Sequence, residues 1–295
     1  MKHYFSLTLL ATAVLAGCAT TSITPTDVTN GYNSIQADEL VKHVKVLASD
    51  EFGGRAPSSP GEKLTLDYLT AQFKALGLKP GNGDSYLQEV PLVSLEADSN
   101  MVLSIGGKDY QYKKDMVMGS SRISAQEGIE NSEGLDVKGK TVVMLVNDPG
   151  FATKDPALFT GDTMTYYGRW TYKYEEASRQ GAAGAIIIHE TAPASYPWSV
   201  VENSWSGEQF GFQKENNNMD RVAVEGWVTT DVAKELFTKA GLDFDTAKEN
   251  AAKGAYHVDM GDLTASVNVK NTIKKSVSYN FIATLPGSEQ PDEHV

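Results

Sequence analysis

Cysteine is almost absent. The chain has one, Cys18, so no internal disulfide can form and no Cys-rich zinc finger or ribbon can be built. Histidine is scarce, with five residues in 295, so any metal site must draw on those few imidazoles and on carboxylates. Basic side chains are outnumbered, 26 Lys and Arg against 38 Asp and Glu, for a formal net charge of −12. That balance argues against a nucleic-acid partner, because phosphate binding needs clustered cations. Beyond the N-terminus no run is long and apolar enough to span a bilayer. What is present, 41% hydrophobic and 22% charged residues, belongs to a globular chain with a length suited to about two domains.

The N-terminus reads MKHYFSLTLLATAVLAGCA. Lys2 supplies a short positive region, Tyr4 to Leu15 an apolar stretch, and Ala16 and Gly17 small residues before Cys18, the pattern of a secretory signal. Leu15-Ala16-Gly17-Cys18 resembles a bacterial lipobox. The resemblance implies cleavage before Cys18, lipidation of its thiol and acylation of the new amine. Several acyl chains, at about 0.8 kcal/mol per buried CH₂, hold where one chain would be marginal. By the same resemblance, Ala19 after the lipidated cysteine implies sorting to the outer membrane of a Gram-negative cell, facing the periplasm. Residues 19–33, rich in Thr and Ser with Pro25 and Gly31, read as a flexible tether.

Two helices come next. In the first, Leu40, Val44 and Leu47 recur at helical spacing, and Ile35 is placed to staple onto Leu40. In the second, Ser59-Pro60-Gly61-Glu62 combines a capping Ser, Pro at the first helical position and a Glu three residues after the cap. Leu66, Leu69, Phe73 and Leu76 share one face, and Gly77 ends the helix. From Met101 short strands alternate with turns: Met101–Ile105, then Thr141–Val146 closed by Asp148-Pro149-Gly150. A helix over Tyr172–Gln180 leads to Ala185-Ile186-Ile187-Ile188, a continuous apolar run suited to a buried strand. The order predicts a small sheet with a helix across it. Ser195–Met219 has no periodicity and reads as a long functional loop. Asp231–Ala240 reads as a helix, Thr264–Val269 and Ser278–Leu285 as strands. After Pro286-Gly287 a further strand is expected to start at His294-Val295, as an interrupted element.

Candidate chemistry is sparse. His257-Val258-Asp259 has metal-ligand spacing on one strand face, but no second cluster completes a site, so it reads as a solvated pair. His43 follows Glu39 by one helical turn, an exposed i,i+4 pair. His189-Glu190 follows the buried Ile run, at a strand end of the kind that faces ligand crevices in α/β layers, and stays a candidate. No Gly-x-Ser-x-Gly elbow or phosphate-loop spacing occurs. Tyr166 to Tyr174 is an aromatic and basic stretch in which Tyr167, Arg169 and Trp170 are candidate peptide contacts.

Several segments together resemble the two-zinc aminopeptidases of the M-twenty-eight peptidase family. They are Leu47 to Arg55 (Leu-Ala-Ser-Asp-Glu-Phe-Gly-Gly-Arg), the helix ending in Gly77-Leu78-Lys79-Pro80-Gly81, and Asn280 to Ser288. Lys138-Gly139-Lys140-Thr141-Val142-Val143 and Ala177 to Ile188 resemble a protease-associated domain inserted into that family. The resemblance implies an incomplete α/β sandwich of the zinc-peptidase type, with an inserted mainly-β, α+β protease-associated domain. The implied division is 1–17 signal, 18–33 tether, 34–97 first peptidase piece, 98–270 insertion and 271–295 resumption. It also implies two zinc ions, a Glu general base and peptide substrates for the full-length enzyme. No catalytic or metal residue of the family has a matching position in this chain, which is therefore expected to be inactive alone. Cys18 is the only modified residue implied. The alternative is a non-enzymatic, lipid-anchored module that binds peptides or proteins through the inserted domain.

Overall fold

The computed structural model describes residues 25–123, 138–254, 256–287, 291 and 293. Cys18 and the expected strand start at His294-Val295 lie outside the described residues. The chain divides into two compact units, Met1–Gln72 and Phe73–Val295.

The first unit holds α1 (Pro25–Ser34), α2 (Ala37–Leu47), a 3-10 turn at Asp50–Phe52 and most of α3 (Pro60–Ala75). Helix α1 replaces much of the expected tether; Pro25 at its first position has its φ already set for a helix. The start of α3 follows the sequence signal, shifted by one residue. Ser59 Oγ accepts from Glu62 N (3.2 Å), while the Glu62 carboxylate accepts from Ser58 N (2.6 Å). Leu78 N donates to Phe73 O and Gly77 N to Lys74 O, closing the helix past its end. The staple of Ile35 onto Leu40 does not form: both side chains are exposed, and α2 buries no residue. Gln36, at the helix start, makes no side-chain cap and turns back to Asn33 O. His43 is not engaged chiefly with Glu39. Its Nδ1 lies 2.7 Å from Tyr68 Oη, whereas Glu39 pairs with Lys42.

The second unit is mixed α/β with several sheets. In chain order come β1 (Lys79–Pro80), β2 (Leu87–Ala97), β3 (Val102–Ile105), β4 (Lys108–Gln111), β5 (Met116–Gly119) and β6 (Thr141–Leu145). After them are α4 (Pro149–Thr153), α5 (Trp170–Arg179), β7 (Gly184–His189), α6 (Thr191–Ala194), α7 (Trp198–Ser204) and β8 (Glu208–Phe212). The last are β9 (Val224–Thr229), α8 (Thr230–Lys239), α9 (Phe244–Ala251), β10 (Ala265–Val267), β11 (Asn271–Phe281) and β12 (Ala283–Thr284). No helix among the described residues is long and apolar enough to cross a membrane.

The central sheet has the order β5-β9-β7-β6, with β6, β7 and β9 parallel and β5 antiparallel. The β6-α5-β7 unit is the sheet with a crossing helix that the sequence predicts. β7 is apolar at successive positions because both its faces are covered, whereas β6, at the sheet edge, is half-buried throughout. Ile186, Ile188, Val228 and Met116 pack with Leu103, Tyr110, Leu236 and Phe244 on one face. Ala185, Ile187, Val117 and Trp227 pack with Tyr174, Ala177 and Val201 on the other.

A second sheet has the order β11-β2-β8. β2 and β11 pair from Leu87↔Phe281 to Ala97↔Asn271, while β8 joins the other side of β2 from Leu92↔Phe212 to Glu96↔Glu208. β8 therefore links residues 98–270 to a strand that precedes them. The segment Ser195–Met219 is not one long loop, since α7 and β8 lie within it. Trp198, Val201 and Trp205 recur at helical spacing, and Val201 is buried; β8 exists because β2 offers it an edge.

Candidate functional site

Parallel strands end together, and in α/β layers the space outside their carboxyl ends is where ligands bind. Here that end is formed by the segments leaving β6 and β7. Past β6 the chain turns at Asn147, a buried residue at φ +70°. Its Oδ1 accepts from Asp148 N (2.7 Å) and its Nδ2 donates to Pro193 O (2.8 Å), tying the end of β6 to α6. Asp148 comes next and is only 7% exposed. Its Oδ2 accepts from Thr165 N (2.9 Å) and Thr165 Oγ1 (3.0 Å), and its Oδ1 has no partner among the described residues. Gly168 closes over the turn: a Cβ there would lie 2.9 Å from Asp148 Oδ2 and 3.0 Å from Asp148 N, so no side chain fits without a shift.

A cavity of about 1730 Å³ runs along β6 and is lined by residues of both its faces. Asp148 and Lys173, from α5, both line it. Burial pushes the Lys173 ammonium down to about 8, and the Asp148 charge pulls it partly back. Glu190 also lines the cavity and pairs with Lys248 of α9.

The strand alternation separates His189 from Glu190. His189 is buried against Tyr196, Trp198 and Trp227, with Nε2 3.0 Å from Tyr196 O, and burial depresses its pKa below 6.5. It is a core imidazole, and only Glu190 belongs to the cavity. His257-Val258-Asp259 stands in a loop and not on a strand; His257 and Asp259 are exposed, and Asp259 Oδ1 accepts from Gly261 N (2.8 Å). Tyr167 and Trp170 fall into different ring clusters. Tyr167 meets Phe159, Tyr166 and Tyr172 at the surface, while Trp170 packs on Tyr174 and Trp205. Arg169 is exposed and sits just before the first residue of α5.

Zinc requires three protein ligands or more at a catalytic site. Among the described residues no group of three or more His, Cys, Asp or Glu could hold a metal ion, so the residues present do not fit the metal implied by the resemblance. Asn147, Asp148 and Lys173 do not stand out in the sequence. Asp148-Pro149-Gly150 carries a turn signal that hides the carboxylate, and Lys173 is masked by the aromatics around it. An Asn ahead of that turn, a residue type tolerant of positive φ, is the one available signal.

No family model matches the chain, and no curated protein is detectably similar to it. Among solved structures, an aminopeptidase from Aneurinibacillus sp. strain AM-1 aligns with 86% of this chain and 49% of its own, at 18% identity and a TM-score of 0.41. The zinc aminopeptidase BSAP from Bacillus subtilis aligns with 86% of this chain and 48% of its own, at 14% identity and a TM-score of 0.36. The chain thus spans about half the length of these structures.

Proposed function

We propose that this chain is the N-terminal part of a membrane-anchored, zinc-dependent exopeptidase that removes N-terminal residues from peptides. The complete gene product supplies the metal ligands and general base, and the chain itself is inactive. The observation that carries the reading is the order of the five resembling segments. Two of them, Lys138 to Val143 and Ala177 to Ile188, cover the first part of β6, the end of α5 and most of β7.

The complete gene product should hydrolyse at least one of a panel of aminoacyl anilides, lose that activity to a chelator and regain it with zinc. Residues 1–295 alone should not hydrolyse them. A complete product inactive on the whole panel overturns the enzymatic reading and favours the peptide-binding module. Chelator-sensitive hydrolysis by residues 1–295 overturns the assignment of the metal site elsewhere.

The anchor is Cys18, and the location is the outer membrane, facing the periplasm. Cys18→Ser should move the protein from the membrane to the soluble fraction of a Gram-negative host, because it removes the thiol that carries the acyl chains. A variant that still sediments with membranes refutes the lipid anchor.

A further inference from the structure

We infer that the free edge of β6 binds an extended peptide with consecutive apolar residues, which joins the four-stranded central sheet as a further strand. Among the described residues β6 pairs with β7 alone. Val146 N donates to Ile188 O (3.3 Å) and Lys140 O accepts from Ala183 N (2.8 Å), so the even-numbered residues of β6 turn their backbone groups to β7. By alternation, the N–H and C=O groups of Thr141, Val143 and Leu145 point to the other side, away from the ladder. Lys140 to Val146, seven residues in succession, all line the cavity. Strand side chains alternate between faces, so a cavity that touches every one of them lies against the edge and reaches round both faces. On one face Val142 and Met144 stand with Ala177; on the other Val143 and Leu145 stand with Ile186 and Leu236.

The size of the cavity, about 1730 Å³, exceeds the roughly 300–1,000 Å³ of small-molecule sites, which points to a stretch of chain as the occupant. The edge offers main-chain donors and acceptors over about 16 Å, and an extended peptide matches them one for one. Apolar walls on both faces require that peptide to be apolar at successive positions, as β7 is. A second copy of the protein does not fit. β6 is half-buried along its whole length although it is an edge, and α4 and α9 add Phe151 and Ala247 to the walls. Two edges recessed in this way cannot pair with each other. The inference stands apart from the peptidase reading, because binding is measured without hydrolysis.

The test is fluorescence anisotropy of the peptide acetyl-Lys-Thr-Val-Ile-Val-Thr-Lys-amide, labelled on one lysine side chain and titrated with residues 1–295. Its capped ends keep terminal charges out of the measurement. Two isomers carry two N-methyl groups each. In one, both valines are methylated, which blocks a single edge of the extended peptide. In the other, the isoleucine and one valine are methylated, which blocks both edges. The first should bind like the parent peptide and the second about tenfold more weakly or worse. Val143→Pro removes an N–H from the free edge and none from the β7 ladder, and should weaken the parent peptide about tenfold. Three outcomes overturn the site: equal binding of the two isomers, undiminished binding by Val143→Pro, or no binding of the parent peptide at about 1 mM. The last would leave the edge to a second copy or to residues 124–137 of the chain itself. The isomers are compared on the unaltered chain, so the result does not depend on any variant folding.

Discussion

Replacing Arg221 with Met is expected to lower the stability of the fold by about 3–5 kcal/mol, the cost of stripping a buried carboxylate of the cation paired with it. Glu225, on β9, is 3% exposed. Arg221 reaches it with Nε at 2.8 Å and a terminal nitrogen at 2.7 Å, both on Oε1, and Ser121 Oγ adds a longer contact to Oε2. Burial raises the pKa of Glu225 above 4.5, and Arg221 is the main force holding it down. Without the guanidinium the pKa rises further. The folded state then binds a proton more readily than the unfolded state, so the deficit is complete above the folded pKa and shrinks as pH falls toward 4.5. Urea unfolding at about pH 8 and about pH 5 should show the larger loss at the higher pH. Adding Glu225→Gln should recover much of it, because the unpaired charge is gone. A deficit that is equal at the two pH values, or untouched by the second change, refutes this account.

Gly226→Ala is expected to destabilise by about 3 kcal/mol. Gly226 lies in β9, between β5 and β7, with neighbours on both sides. A Cβ there would meet Val117 O at 2.5 Å and Met118 Sδ at 2.4 Å. The sulfur can swing away, but the carbonyl belongs to the backbone of β5 and moves only if the strand moves. The carbonyl of Gly226 itself accepts from the buried Tyr174 hydroxyl at 2.8 Å, so a shift of β9 also strains α5. Met118→Ala should therefore fail to rescue Gly226→Ala in thermal melts. A double variant as stable as Met118→Ala alone would show that the sulfur, and not the strand, is the obstacle.

Legibility along this chain depends on whether a segment's environment is local. The start of α3 is readable because Ser59, Pro60 and Glu62 act within one turn. β7 is readable because Ala185 to Ile188 are apolar at every position, as a strand covered on both faces must be. β2 is not. Pro91 speaks against a strand, yet it lies one residue before the β8 pairing begins at Leu92, where no N–H is owed to a neighbour on that side. The staple at Ile35 and Leu40 fails for the converse reason: the spacing is right, but α2 buries neither face. The His257-Val258-Asp259 spacing would share a face only on a strand, and the backbone there is a loop.

The sequence by itself determined the acidic, cysteine-poor chemistry, the sheet with a helix across it at β6-α5-β7, the capped start of α3, and the lipobox-like run ending at Cys18. These come from composition and from interactions spanning a few residues. Only the tertiary structure decided that His189 belongs to an aromatic core while Glu190 faces the cavity, that β8 exists, and that Asp148 and Lys173, a helix and a turn apart in the chain, line one cavity. Each of these rests on a partner far away in sequence. A pleated strand sends neighbouring side chains to opposite faces, and an edge or a buried charge takes its meaning from what is packed against it.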